Sequence, residues 1–456
     1  MSIVRSMRFS GMTPAAGIKP AANGPYGPGD LRRAYRLVNA SANRGKGKTI
    51  AIVDAFNNPH AAADLKVYRS HFHLPPCTKA NHCLRIVNQN GKARPLPANN
   101  ANWGVEIALD LDMVSAICPK CHILLVESKN ALTTNLGTAV NRAVTMGAKY
   151  VSNSWGGPEF TGENHFSHFF NHPGRVINFA SGDLGFGATF PADLQYVTSI
   201  GGTSLVHASG GRGWAETVWG SSSGGDGTAS GCSNGQAKPS WQLADRTTTP
   251  GCPTRTENDV AAVADPNTGV IVFDTFGAPG PIEVGGTSAA TPIITGIYAL
   301  AGSPKTRTYP AEYSYLRKGH LFDVVGGANG PCGTYLCQGL TGFDGPTGLG
   351  TPNGIMAFGT GSKRMVTLVD PGKKIVAQGS HFSLKIIGLD SAKVSLLHYN
   401  DNGTLPASLT IKSITGTTNG LISGTVTAAP GTYDVTITAK DGSGATGVTH
   451  FFIVVQ

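Results

Sequence analysis

A chain of 456 residues has room for two or three domains at about 150 residues each, and 40% hydrophobic against 14% charged residues points to a globular one. The net charge of +9 reflects few acids (27 Asp and Glu) as much as many bases (36 Lys and Arg), and no basic stripe interleaves with aromatics, so nucleic acid is not an expected partner. No segment reaches the roughly 20 apolar residues of a membrane-spanning helix.

Residues 1–28 are rich in Gly, Pro and Ala and read as a flexible lead-in, without the apolar core of a secretory signal. Asp30 is placed to cap a helix that starts at Leu31. Thr49–Asp54 is a short apolar run ending in an acid, as expected of a strand buried on both faces of a parallel sheet. Similar runs recur at Ile123–Val126, Tyr150–Ser154 and Val176–Ala180, with helical segments at 102–116 and 131–146. This alternation predicts an α/β domain over 29–360 with a mainly parallel twisted sheet flanked by helices. From 365 to 456 the pattern changes to period-two runs such as Phe382–Ile386 and Tyr433–Thr438, which predict an all-β sandwich behind the linker Gly359–Ser362.

The eight cysteines fall as Cys77 and Cys83, Cys118 and Cys121, Cys232 and Cys252, and Cys332 and Cys337. Nearest-neighbour disulfides are the simplest account and imply an oxidising, extracellular compartment. Zinc is the rival at Cys118 and Cys121, although no second close pair of matching pattern accompanies them.

In strand-helix sheets of this kind, chemistry gathers at the carboxyl ends of strands. Candidates there are Asp54, the Asn153-Ser154-Trp155-Gly156 turn and Ser181-Gly182-Asp183. A candidate nucleophile, Ser288, stands among small residues in Gly285-Gly286-Thr287-Ser288-Ala289-Ala290-Thr291-Pro292, where Pro292 suggests a helix start. None of the 13 histidines has a context that marks it as a base. Glu106 and Asp110, four residues apart in a helical segment, share a face, whereas Asp112 points elsewhere. Two acids held together titrate as a pair and can accept a serine proton at pH values where histidine is already protonated. Asp183, when protonated, can donate to a tetrahedral oxyanion.

Together, Trp103–Asp110, Ser181–Asp183 and Gly285–Ala289 resemble the sedolisin family of serine-carboxyl peptidases, and the likeness runs from about residue 25 to 360. The resemblance implies a subtilisin-like fold with Ser288 as nucleophile, Glu106 as general acid/base, Asp110 as its orienting acid and Asp183 as oxyanion donor. It further implies support from Asp54 and Trp155, and one structural calcium ion held by Asp323 and Asp344 with the carbonyls of Val324, Leu340 and Gly342. Sedolisins carry an N-terminal activation domain to which nothing in this chain corresponds, so a mature, shortened or unusual form is expected. The tail, in particular Gly420–Val426 and Gly431–Asp441, resembles bacterial Ig-like or cadherin-like domains, which implies a binding or spacer role toward a surface, polysaccharide or protein. The expectation is a secreted, monomeric endopeptidase that cleaves proteins and peptides in acid. The alternative is an inactive, peptidase-shaped binding module.

Overall fold

The computed structural model describes residues 7–8, 24–242, 252–361, 363–392 and 396–456. Its elements are β1 (Thr49–Ala55), α1 (Ala61–His71), β2 (Leu84–Asn88), α2 (Ala101–Ile117), β3 (His122–Ser128), α3 (Thr133–Thr145), β4 (Tyr150–Asn153), β5 (Val176–Ala180), β6 (Thr198–His207), β7 (Trp214–Val218), β8 (Val260–Val263) and α4 (Thr287–Ala301). The strands form one sheet in the order β7-β6-β5-β4-β1-β3-β2, with β8 also paired to β6. Every pairing is parallel except that of β6 with β7.

The central strand shows why these runs are apolar throughout. Ile50 and Ile52 join a core with α1, α2 and α4, while Ala51 and Val53 join a second core with α3 on the other face. Successive side chains of a strand point to opposite faces, so a doubly covered strand needs both sets apolar.

Helices α2 and α4 lie against each other at Gly296. A Cβ there would stand 2.9 Å from the Ile117 side chain, closer than real contacts allow, so the missing side chain lets α4 pack directly on the end of α2. Fourteen of the 17 residues of α2 and 14 of the 15 of α4 are buried, including every polar residue of interest on them.

Two expectations need correction. Asp30 is not the cap of its helix, Pro28–Ala34: Gly27 holds that place, and the Asp30 carboxylate reaches back to accept from the Gly27 N–H at 3.1 Å. Of the 1–28 stretch expected to be flexible, residues 1–6 and 9–23 lie outside the described residues; Tyr26 is fully buried and donates its hydroxyl to the Leu205 carbonyl, and Met7–Arg8 pairs with the strand Gly280–Val284. The cysteines are joined as Cys77–Cys83, Cys118–Cys121, Cys232–Cys252 and Cys332–Cys337, so Cys118 and Cys121 are not free to hold zinc.

The C-terminal region is all-β, with a four-stranded and a three-stranded sheet enclosing a core that includes Ile386, Ile422, Val435, Ile437 and Ile453. It rests on the α/β region through Val369, which packs with Trp241, Tyr309 and Ala311, and through the Thr367 hydroxyl, which donates to Glu312 at 2.6 Å.

The α2–α4 contact makes the first prediction. Gly296→Val forces branched carbons into Ile117 and is expected to destabilise the fold by about 1–3 kcal/mol. Urea unfolding measures it, and an unchanged midpoint would show that the two helices do not need this close approach.

Candidate active site

Asp54 ends β1, Ser154 and Trp155 follow β4, and Asp183 follows β5; these three strands are neighbours in the sheet. The sheet thus delivers three of the candidate positions to one edge. Helices α2 and α4 supply Glu106, Asp110 and Ser288 from above it.

Ser288 is the second residue of α4, which is entered through Gly286 with φ 106°, a left-handed conformation that favours glycine. The site explains this glycine further, because a Cβ there would lie 2.8 Å from Asp183 Oδ2. The Asp183 Oδ1 atom accepts from both the N–H and the hydroxyl of Thr287, each at 2.8 Å, and so caps the helix. Asp183 is thereby fixed one residue from the serine.

Pro292 does not open the helix as expected; it sits inside α4. Lacking an N–H, it cannot bond the carbonyl four residues earlier, which is that of Ser288. That carbonyl instead lies 3.4 Å from the Ser154 hydroxyl. The serine Oγ faces the Ser154 carbonyl at 3.5 Å, a long contact that leaves the hydroxyl weakly held. Among the described residues no histidine bonds it, whereas Glu106 is close enough to interact with it.

The carboxylates are almost wholly buried: Glu106 is 6% exposed, and Asp110 and Asp54 are 0%. Asp110 Oδ1 accepts from the Ser154 hydroxyl at 2.7 Å. Its Oδ2, Glu106 Oε1 and both oxygens of Asp54 meet no donor among the described residues. Burial raises all three carboxyls, Asp54 to about 8, and the charge of Asp54 pushes Glu106 and Asp110 higher still. A carboxyl so placed is most stable holding a proton. Asp112, by contrast, turns away and accepts from the Phe273 N–H at 2.9 Å.

Trp155, a supporting residue in the resemblance, lies beside the end of β1. Its indole N–H donates to the Val53 carbonyl at 2.8 Å, which fixes the end of β1 next to Asp54. Ser154 and Thr287 are the residues whose parts the sequence did not announce. Both were visible inside quoted motifs, but small hydroxyls in turns carry no signal until their partners are known. Two clefts of about 200 and 240 Å³ share Trp155, Gly156 and Gly157; one is walled by Gly182, Asp183 and Leu184, the other by Phe160 and Phe190. The two meet at these shared residues, are largely apolar, and reach the site at Asp183.

Asp323 and Asp344 lie close enough for their charges to interact. Asp344 is buried and accepts from Thr347 and Leu340, and Asp323 accepts from the Gly342 N–H. Among the described residues the carbonyls of Val324, Leu340 and Gly342 take no hydrogen bond from the protein. Two carboxylates and unengaged carbonyls on glycine-rich loops are the donor set a hard cation takes, so these residues fit calcium.

The serine thus stands at one edge of a mainly parallel sheet, with carboxylates and, among the described residues, no histidine bonded to it. Residues 96–317 match the Subtilase family and residues 365–456 match the family described as Putative Ig domain. The chain is 30% identical over 366 residues to kumamolisin of Bacillus sp. (strain MN-32), covering 74% of this chain and 63% of that protein. It is 31% identical over 202 residues to sedolisin of Pseudomonas sp. (strain 101), covering 39% and 33%. The solved structure of Pseudomonas sedolisin, a serine-carboxyl proteinase complexed with two molecules of pseudo-iodotyrostatin, superposes with a TM-score of 0.60 at 22% identity, over 73% of this chain and 96% of that one. The chain spans less than two thirds of the length of these two curated relatives. The α/β region is thus similar to peptidases of the sedolisin type, and residues 365–456 are similar to Ig-like domains.

The buried acids fix how stability depends on pH. A carboxyl whose folded pKa lies above its unfolded value contributes stability that is complete below the unfolded value and lost as pH rises through the folded one. For Asp54 that window runs from 3.8 to about 8. The melting temperature is expected to fall across it, and Asp54→Asn is expected to flatten the fall by up to about 1.4 kcal/mol per pH unit. Calorimetry from acid to neutral pH measures this; equal slopes for the two proteins would contradict the assignment.

Proposed function

We propose that the chain is an acid-acting serine-type endopeptidase that hydrolyses peptide bonds with Ser288, Glu106 and Asp110, assisted by Asp183. The observation that carries this reading is the weakly held Ser288 hydroxyl beside a buried carboxylate group, at the N-terminal end of a helix capped by Asp183.

Ser288 Oγ attacks the carbonyl carbon of a peptide lying in the groove. Its proton passes to the coupled carboxyl group of Glu106, Asp110 and Asp54 once that group has given up one of its protons, and Glu106 later returns it to the leaving amine. A base needs affinity for the proton, and burial supplies it. Asp110, anchored by Ser154, holds the second carboxyl beside Glu106 and takes up part of the transferred charge. The positive end of α4 and protonated Asp183 face the developing oxyanion; Oδ1 keeps its bonds to Thr287 while Oδ2 carries the donated hydrogen. Asp54 adds a third coupled carboxyl to the group, and Trp155 walls the groove.

One calcium ion at Asp323, Asp344 and the carbonyls of Val324, Leu340 and Gly342 would neutralise the two acids and tie their loops together. The four disulfides support an extracellular location. The Ig-like domain serves as a spacer or binds a surface, polysaccharide or protein, and the enzyme acts as a monomer on protein and peptide substrates.

Digestion of an unfolded protein substrate as a function of pH tests this reading. Ser288→Ala is expected to lower kcat by at least about 10⁴-fold and Glu106→Gln to be nearly as severe, both with an unchanged fold. Activity should fade toward neutral pH, and Asp183→Ala should cost about 10²–10³-fold in kcat. A profile peaking at neutral pH and insensitive to Asp183 and Glu106 would refute it.

A further inference from the structure

A second group of acids lies beside the groove. Glu159 and Glu163 lie on either side of Phe160 in the chain, and Asp193 follows Phe190 and Pro191, so the three are chain neighbours of residues that line a cleft. One carboxylate oxygen from each falls within 4.8 Å of the others. Glu159 is half-buried, Glu163 is 6% exposed and Asp193 is 0% exposed, so the group is closed on the protein side and open toward solvent at Glu159.

The glutamates are well supplied with donors. Glu159 accepts from the Asn234 N–H at 3.1 Å, from the Asn234 side-chain amide at 2.8 Å and, in a short bond, from the Ser233 hydroxyl. Glu163 accepts from the Gln236 side-chain amide at 2.6 Å and from the Phe160 N–H at 3.1 Å.

Asp193 is not. Among the described residues its Oδ1 is buried with no donor in place, its Oδ2 has the Ser233 hydroxyl at 3.5 Å, and otherwise it faces the carboxyls of Glu159 and Glu163 within hydrogen-bonding reach. A hydroxyl has one hydrogen, and that of Ser233 is already given to Glu159 at the shorter distance. Among the described residues no Lys, Arg or His forms an ion pair with any of the three. A fully buried carboxylate with no donor and two acids against it lacks a positive partner.

We propose that Glu159, Glu163 and Asp193 bind a hard divalent cation of calcium size, which ties the loop 157–163 to the turns at 190–193 and 233–236. Oxygens around calcium lie at about 2.3–2.6 Å from the ion, so ligand atoms up to about 5 Å apart can share it. The pairing of Gly157–Pro158 with Thr189–Phe190 already joins two of these segments, and the ion fastens the same two where Phe160 and Phe190 form the wall. Burial, the charge of Glu163 and hydrogen bonding to Glu159 and Glu163 push the Asp193 carboxyl well above the usual range; a bound cation takes the place of the shared proton and offsets the charge. The residues are separate from the Asp323 and Asp344 pair, so the two sites can be removed one at a time.

Isothermal titration of the chelator-stripped full chain with calcium chloride at neutral pH tests this. Two sites are expected in the unaltered protein. Glu163→Gln and Asp193→Asn should each remove one of them or weaken it by more than about tenfold, while the double variant Asp323→Asn, Asp344→Asn keeps it. Added calcium should raise the melting temperature of that double variant. Glu159→Gln, at a half-buried position, gives the same readout if Asp193→Asn does not fold. The proposal is overturned if all calcium binding disappears with Asp323→Asn and Asp344→Asn. It is equally overturned if Glu163→Gln and Glu159→Gln leave the isotherm unchanged, the result expected of acids that merely share a proton.

Discussion

Everything at the centre of this molecule depends on three carboxyl groups placed where water cannot reach them. Glu106, Asp110 and Asp54 come from a helix and a strand that pack through apolar neighbours, and together they have one firm hydrogen bond, from Ser154. Such a group is costly when fully ionised and stable when it keeps protons. The fold can hold it because two doubly covered layers of apolar packing surround the strand that carries Asp54. The same desolvation that weakens the fold at higher pH gives a glutamate the proton affinity that a serine nucleophile requires of its base.

The helix carrying Ser288 shows how few residues set the local geometry. Gly286 turns the chain and makes room for Asp183, the Thr287 N–H and hydroxyl fix that aspartate, and Pro292 leaves the serine carbonyl without an intrahelical partner. At the other end of the contact, Gly296 brings α4 down onto α2. Small residues here are a condition of close approach, and without it the serine and the carboxylates would be held apart.

Much of this was legible in the order of residues. Apolar runs ending in polar turns marked β1, β4 and β5, and the spacing of Glu106 and Asp110 placed them on one helix face, because period and spacing are local properties. The role of Pro292 was misread, since its position relative to the helix start depends on where Gly286 turns the chain. Asp30 looked like a cap but reaches back to Gly27, a difference of three residues that composition does not resolve. Trp155 bonding the Val53 carbonyl, Ser154 anchoring Asp110 and the gathering of Glu159, Glu163 and Asp193 all join residues distant in sequence. Pairings of that kind are products of the tertiary fold, and no local pattern encodes them.

The account stands or falls on whether the carboxyls at the serine keep a proton far above the ordinary range. Infrared spectroscopy of the protonated carboxyl band, followed with rising pH in the unaltered protein, in Glu106→Gln and in Asp54→Asn, reads this directly. A band that survives to about pH 8 and loses intensity in each variant is the expected result. A spectrum in which every carboxyl has ionised by about pH 5, the behaviour of ordinary aspartates and glutamates, would contradict it.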